Sequence, residues 1–184
     1  MTFSIGKLDF TPAASLTDLL AAPVAAAITS PQWPHSADAV GVVEIDPEVA
    51  DTAAFCERYD VTLDESANCV VIAGKREGEI RFAACIVLAT TRADVNGVVR
   101  KSLDVRKASF AAMDIAVAET GMEHGGITPI GLPADWPILV DAAAAAMPQV
   151  VIGSGLRRSK LALAGKTLAT LPGATVVEGL ARRA

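Results

Sequence analysis

The sequence predicts an α+β domain built on a mixed β-sheet, and three observations carry that reading. Of 184 residues, 52% are apolar but only 4% aromatic, so the core is made mainly of Ala, Val, Ile and Leu. Such a core suits a sheet packed by small-residue helices, and the length suits one domain. Two β-rich runs at 68–74 and 79–88 are separated by Lys75, Arg76, Glu77 and Gly78, a hairpin signal. Short strand-like and helix-like segments are interspersed on both sides of that hairpin.

Taken in order, residues 15–28 read as a helix with Ser15 or Thr17 as its cap, broken by the proline-containing stretch at 30–34. Residues 39–45 read as a strand. Asp46 then caps a helix with Pro47 at its first position, running to about Tyr59. If Gly74 pairs with Glu79 in the hairpin, Asn68 lies opposite Cys85. Residues 94–103 and 111–120 read as helices flanking a short strand at 106–109. A glycine-rich loop follows, then short strands at 138–141, 149–152, 160–163 and 175–177, with a helical piece at 165–171. No repeat, low-complexity tract or linker divides the chain. Residues 1–38 are expected to be an N-terminal arm or helix packed on a domain at 39–184.

Cys56, Cys69 and Cys85 form an odd set without a C-x-x-C pair, which argues for free thiols in a reducing compartment and hence a cytoplasmic address. The apolar segment 19–28 is short, follows Asp9 and Asp18 and contains Pro23, so it makes a poor signal peptide and cannot span a membrane. The net charge of −5 disfavours nucleic acid, but the charge is unevenly distributed. Residues 38–65 hold nine acidic side chains against Arg58 alone, whereas 75–107 hold eight basic against four acidic. The tail from Leu156 adds six basic residues against Glu178. A polarised molecule of this kind can present a basic face to RNA; solvated charges scattered over strand edges and helix backs are the other reading.

Residues 121–133 (GMEHGGITPIGLP) place four glycines and two prolines between a helix-like and a strand-like segment. Glycine permits positive φ and close approach to the main chain, while Pro129 and Pro133 fix φ. The loop is thus either an ordinary tight connection or a device that aims peptide N–H groups at one point. His124 is a solvent-exposed loop histidine or a group at a site mouth, and Trp136 caps the core or walls a pocket.

Other motifs fail. Gly165, Lys166 and Thr167 resemble the end of a phosphate-binding loop, but the required glycine five positions earlier is Lys160. A nucleophile elbow at Ser154 would need glycines where Ile152 and Leu156 stand, so Ser154 reads as a turn residue. His35 and His124 have no partner at ligand spacing, and the cysteines lie thirteen and sixteen residues apart, so no metal site is expected. Asp141 ends a strand before an alanine run and reads as an N-cap.

The glycine loop resembles the signature of the YbaK/prolyl-tRNA editing family, whose G-x-x-x-P loop is matched by Gly125, Gly126, Ile127, Thr128 and Pro129, followed by Ile130 and Gly131. The hairpin at 67–96, the stretch 105–121, and the downstream segments WPILVDAAAA, VVIGSGLRRSKLAL and GKTLATLPGATVV resemble the same family, over roughly 39–178. The resemblance implies a largely antiparallel or barrel-like sheet wrapped by helices. It also implies hydrolysis of the ester joining an amino acid to the 3′ end of a mischarged tRNA, without metal or cofactor. A homodimer or a synthetase partner would be compatible with it.

By that resemblance Gly125 and Gly126 supply oxyanion or carbonyl donors, and Ile127, Thr128, Pro129, Ile130 and Gly131 shape the amino-acid pocket. Gly153 and Ser154 form its far wall, and Asp141 matches an acid near it. A pocket of backbone and short side chains favours a small aminoacyl group such as alanyl or cysteinyl. The family places a lysine where this chain has Asn68, which can donate a hydrogen bond but cannot neutralise phosphate. Arg81 lies about 13 Å along the strand from Cys85 and is no simple replacement; Lys101, Arg157 and Lys160 are the other candidates. The loss of that lysine keeps a second class open: a non-catalytic homologue binding an amino acid, a nucleotide or a protein partner. A small-molecule hydrolase on the same fold is a third.

Overall fold

The computed structural model describes residues 3–183. Met1, Thr2 and Ala184, at the outer ends of the expected arm and domain, lie outside the described residues. The chain opens on β1 (Phe3–Ile5) and β2 (Leu8–Pro12), a hairpin with alternating buried and exposed residues, followed by α1 (Ala22–Ile28) and β3 (Val40–Glu44). Then come α2 (Thr52–Tyr59), the long hairpin of β4 (Ala67–Arg76) and β5 (Glu79–Leu88), and β6 (Thr91–Ala93). The short α3 (Arg100–Ser102), β7 (Ala108–Phe110) and α4 (Met113–Thr120) lead into the glycine loop. After it lie β8 (Ile138–Asp141), α5 (Ala142–Ala145), β9 (Val150–Gly153) and β10 (Ser159–Leu163). The chain closes with α6 (Gly165–Ala169), β11 (Ala174–Val177) and β12 (Ala181–Arg183).

The fold is mixed α+β, as expected, with mostly antiparallel pairing. One sheet runs β1-β2-β3-β10-β9 and is antiparallel throughout. The other runs β11-β8-β5-β4-β7, with parallel pairs only at β11–β8 and β8–β5. β6 and β12 make a small antiparallel pair. A parallel bridge from Ser66 to Val151 ties the two large sheets together. Ile86, Val140, Leu161 and Leu163 meet in the main core between these elements, with Val24 of α1 and Leu168 of α6. A second cluster packs Phe55 of α2 on Phe10, Val151 and Ala162. Among the described residues no helix is long and apolar enough to cross a membrane.

Several elements differ from the sequence reading. The helix expected at 15–28 is two 3-10 turns, Ala13–Ser15 and Thr17–Leu19, and then α1: Leu20 and Ala21 are extended, and Pro23, which has no N–H for an i−4 carbonyl, falls in the first turn of α1. Its N-cap is Ala21, while Ser15 Oγ donates to the Pro12 carbonyl. The helix expected from Asp46 is interrupted: Asp46 caps a 3-10 turn at Pro47–Val49, and α2 starts only after Asp51, which is extended. The helix at 94–103 begins as a π turn, Val95–Val99, where the Asp94 carboxylate takes the Gly97 N–H.

The hairpin register is also corrected. Gly74 pairs with Arg81 and Asn68 with Val87, not Glu79 and Cys85. Glu77 and Gly78 both have positive φ and form a two-residue turn, so β4 continues to Arg76. The paired two-residue turn matches the strand twist better than the four-residue loop expected from composition.

Candidate active site

The cleft exists because β7 is short. On its outer side β4 meets β7 only from Ile72 to Gly74 and the Ala111 N–H at the Val71 carbonyl. At its start Ser66 bridges to Val151. Between these contacts residues 67–70, paired with β5 on one side, have no hydrogen-bonded strand on the other among the described residues, and a cleft of ≈ 330 Å³ opens there. The glycine loop and β9 close its opposite side, through Gly125, Ile127 and Gly153.

The loop begins where Gly121, at φ 67, caps α4 by donating to the Val117 carbonyl at 3.0 Å. It is then zipped to residues 153–157. Glu123 N–H donates to Gly155 O at 2.8 Å, and Gly155 N–H donates to Gly126 O at 2.7 Å. The Glu123 carboxylate accepts the Arg157 N–H at 2.6 Å. Two glycines make this backbone contact sterically feasible. A Cβ on Gly126 would lie 2.7 Å from the Leu156 carbonyl oxygen, and one on Gly153 would lie 2.3 Å from the Gly126 carbonyl oxygen.

The loop glycines divide their roles. Gly126 is buried and its N–H donates to Glu123 O at 3.0 Å, so that amide is engaged within the loop instead of serving the cleft. Gly125 is exposed, sits at φ 80 on the cleft wall, and among the described residues its N–H has no hydrogen-bond partner. Arg157 braces it from behind: its guanidinium reaches the His124 carbonyl at 3.4 Å, the Pro47 carbonyl at 3.1 Å and the Asp51 carboxylate at 3.4 Å. Replacing Gly125 would push a Cβ to 2.5 Å from the Arg157 Nη1.

On the β4 side, Thr52 Oγ1 donates to Asn68 Oδ1 at 2.8 Å, which turns the amide nitrogen into the free donor of that side chain. Cys69 borders the cleft, but burial of its thiol pushes ionisation above the ordinary range, with Cys85 adding to it. Lys160, one of the candidate cations, is the charged occupant from β10. It is only 8% exposed, yet it lines the cleft, donates to the Ala50 carbonyl at 2.9 Å and lies 5.2 Å from the Phe55 ring centroid. Burial pushes its ammonium down to about 8; Arg157 lowers it further, while Cys56 and Asp51 act the other way. Phe110 and Met113, 61% and 57% exposed, form an apolar lip.

Of the residues singled out in sequence, the structure gathers Asn68, Gly125, Ile127 and Gly153 around this cleft. Gly126 supports them from inside the loop. Pro129, Ile130 and Gly131 instead line a separate cavity of ≈ 260 Å³ beside Trp33 and Trp136. Thr128 is fully buried, with its N–H toward Met122 Sδ and its hydroxyl unpartnered. Ser154 is buried, its Oγ 2.7 Å from Ser159 Oγ. Asp141 caps α5 through the Ala143 N–H and takes the Ala181 N–H on its other oxygen. Of the three candidate cations Lys101, Arg157 and Lys160, only Lys160 lines the cleft; Arg157 braces the loop and Lys101 is exposed on α3. Asp51, Thr52 and Phe110 escaped the sequence reading, because nothing in their local pattern marks the ends of separate elements as neighbours.

Among the described residues no Lys or Arg of the basic stretch 75–107 lines the cleft. Arg76 pairs with Asp104, and Arg81 lies 3.6 Å from the same carboxylate while donating to the Leu103 carbonyl, at the far end of the hairpin.

A curled, largely antiparallel fold with a loop-walled cleft is the frame of an editing domain, and the aminoacyl-tRNA editing domain family matches residues 46–171, well over half of the chain. The chain belongs to that family. Solved structures agree on the fold. A protein described as a proposed trans-editing enzyme for prolyl tRNA synthetase shares 21% identity at a TM-score of 0.70, covering 86% of this chain and 94% of that one. A scaffold from computational epitope backbone grafting shares 22% at 0.70, covering 86% and 95%. A hypothetical protein shares 18% at 0.67, covering 77% and 90%.

Proposed function

We propose that the chain hydrolyses the ester between a small amino acid, such as alanine or cysteine, and the 3′-terminal adenosine of a mischarged tRNA. The observation that carries this is Gly125: a backbone donor without a partner among the described residues, at positive φ on the wall of a small cleft, next to a His124 carbonyl bonded by Arg157. In the reaction, water adds to the ester carbonyl carbon and the carbonyl π pair moves to oxygen, where Gly125 N–H stabilises it. The pair then returns, the bond to the ribose oxygen breaks, and that oxygen takes the proton lost by the water. The products are the free amino acid and tRNA with its terminal hydroxyl restored. The ester is already activated, so positioning and charge stabilisation supply most of what is needed.

The cleft volume of ≈ 330 Å³ has room for an aminoacyl group together with part of the terminal ribose. Asn68, oriented by Thr52, would donate to the ribose or the aminoacyl group, and Ile127 and Gly153 would limit side-chain size. Thr128 to Gly131 would act indirectly, by fixing the loop from the core side. Such an enzyme would work in the cytoplasm, where its tRNA substrate is found.

A binding-only role keeps one specific support, since Gly126 N–H is engaged and Gly125 is left as the loop donor at the cleft. Deacylation of a panel of mischarged tRNAs by wild type and Gly125→Ala separates the two. Alanine keeps the N–H but, at φ 80 with a Cβ 2.5 Å from Arg157 Nη1, displaces it, so turnover by wild type that drops about a hundredfold in Gly125→Ala is the expected result. No turnover on any substrate would leave the binding role.

A further inference from the structure

Lys160 is a buried cation that the fold itself does not need. An isolated ammonium is costly to bury unless an anion or a full set of acceptors compensates it. Here, among the described residues, Lys160 has no ion pair within 4.0 Å and one hydrogen bond, to the Ala50 carbonyl, which leaves two of its three N–H bonds without a partner. A leucine or methionine would fill the space against Phe55 without that penalty. The geometry aims it at the cleft: Lys160 pairs across the sheet with Gly153, whose bare Cα lies against the carbonyls of Gly126 and Ile127. It therefore comes from β10 to the same wall as the loop, facing the unpaired edge of β4 that carries Asn68.

We propose that Lys160 is the charge-bearing group of this site, its ammonium binding the negative charge that gathers on the carbonyl oxygen of the aminoacyl ester beside Gly125. This rests on the deacylase reading. The groups facing it are the Phe55 ring and Cys56 thiol on α2, the Ala50 carbonyl and Asp51 ahead of α2, Arg157 in the β9–β10 connection, and Val43 and Gly153 on the neighbouring strands. Asp51 and Arg157 oppose each other through their ion pair, so neither neutralises the lysine. At neutral pH the ammonium form dominates and serves as a fixed cation; above about pH 8 it is lost. Lys160 transfers no proton in this scheme.

Two adenosine probes test this: a 3′-aminoalkylphosphonate ester, tetrahedral and anionic like the addition intermediate, and a neutral 3′-alanylamide of ground-state shape. Calorimetric binding is measured at pH 7 and pH 9.5 for wild type, Lys160→Met and Lys160→Arg, alongside deacylation. The expected result is that Lys160→Met weakens the phosphonate at least thirtyfold at pH 7 and the amide less than threefold. Wild-type phosphonate binding should fall about tenfold from pH 7 to 9.5, a fall absent in Lys160→Arg. Phosphonate binding that ignores both substitution and pH would overturn the proposal even if wild type deacylates tRNA. If wild type has no turnover but the phosphonate still depends on Lys160, the deacylase reading fails and the anion site stands. Failure of both probes to bind overturns both.

Discussion

Replacing Lys160 by methionine should make the protein more stable at neutral pH, and the gain should disappear in alkali. Lowering a lysine from 10.5 to about 8 disfavours its charged form in the fold by roughly 3 kcal/mol, at about 1.4 kcal/mol per pH unit. At 8% exposure, solvent screening does little to reduce that figure. Methionine loses the hydrogen bond to Ala50, about 1 kcal/mol, so the net gain at pH 7 is about 2 kcal/mol. For a chain of this length that is about 4–8 °C in Tm. The sign with pH follows from proton counts. Between about 8 and 10.5 the unfolded lysine holds more proton than the folded one, so the penalty on the native state shrinks as pH rises and the variant's advantage goes with it. The thiols act oppositely. Burial raises Cys85 to about 12 and Cys69 higher still, so above pH 9 their ionisation favours the unfolded chain. Because both proteins share those thiols, the quantity to measure is the difference in urea-unfolding free energy between variant and wild type at pH 7, 8, 9 and 10. A difference that stays constant with pH, or a variant less stable than wild type at pH 7, would refute the buried, uncompensated ammonium.

Three further outcomes follow from the same geometry. Gly153→Ala, which forces a Cβ toward the Gly126 carbonyl oxygen, should displace the loop and cost about 1–3 kcal/mol in stability with at least tenfold in kcat; unchanged Tm and kcat would show that the loop has slack. Phe110→Ala, which removes a ring from the cleft lip, should raise the KM for aminoacyl-tRNA about fivefold or more with little change in kcat, because an exposed ring offers a stacking face for a terminal base; equal KM values would exclude that contact. Cys69, half-buried with its thiol held neutral, should react with iodoacetamide at pH 8 far more slowly than a free thiol, and Cys69→Ser should keep deacylation within about twofold; rapid labelling of Cys69 in native protein would contradict the raised thiol.

Local pattern was enough to read the elements whose causes are local. The β4–β5 hairpin and the short strands after the loop follow from β-branched runs and turn residues, and Asp141 reads as a cap because an alanine run follows it. Register was not legible at that level, because a two-residue turn at Glu77 and Gly78 and a longer one differ by backbone φ, which composition does not report. Continuous helices at 15–28 and from Asp46 failed for a related reason, since extended residues ahead of Pro23 and at Asp51 interrupt them.

By itself the sequence determined the α+β class, the editing-family loop and the concentration of glycine at 121–133, since each is a matter of residue type at short range. Only the tertiary structure decided which loop amide remains available: Gly126 is engaged by a partner three residues away, while Gly125 N–H has none among the described residues and lies against Arg157, thirty-two residues on. It alone separated Ile127 on the cleft from Pro129 to Gly131 on another cavity. It also brought Lys160 to a site whose β4 strand carries Asn68. A cation's role depends on what surrounds it, and the surroundings of Lys160 come from α2, β9 and the turn at Ala50, which meet only in the folded chain.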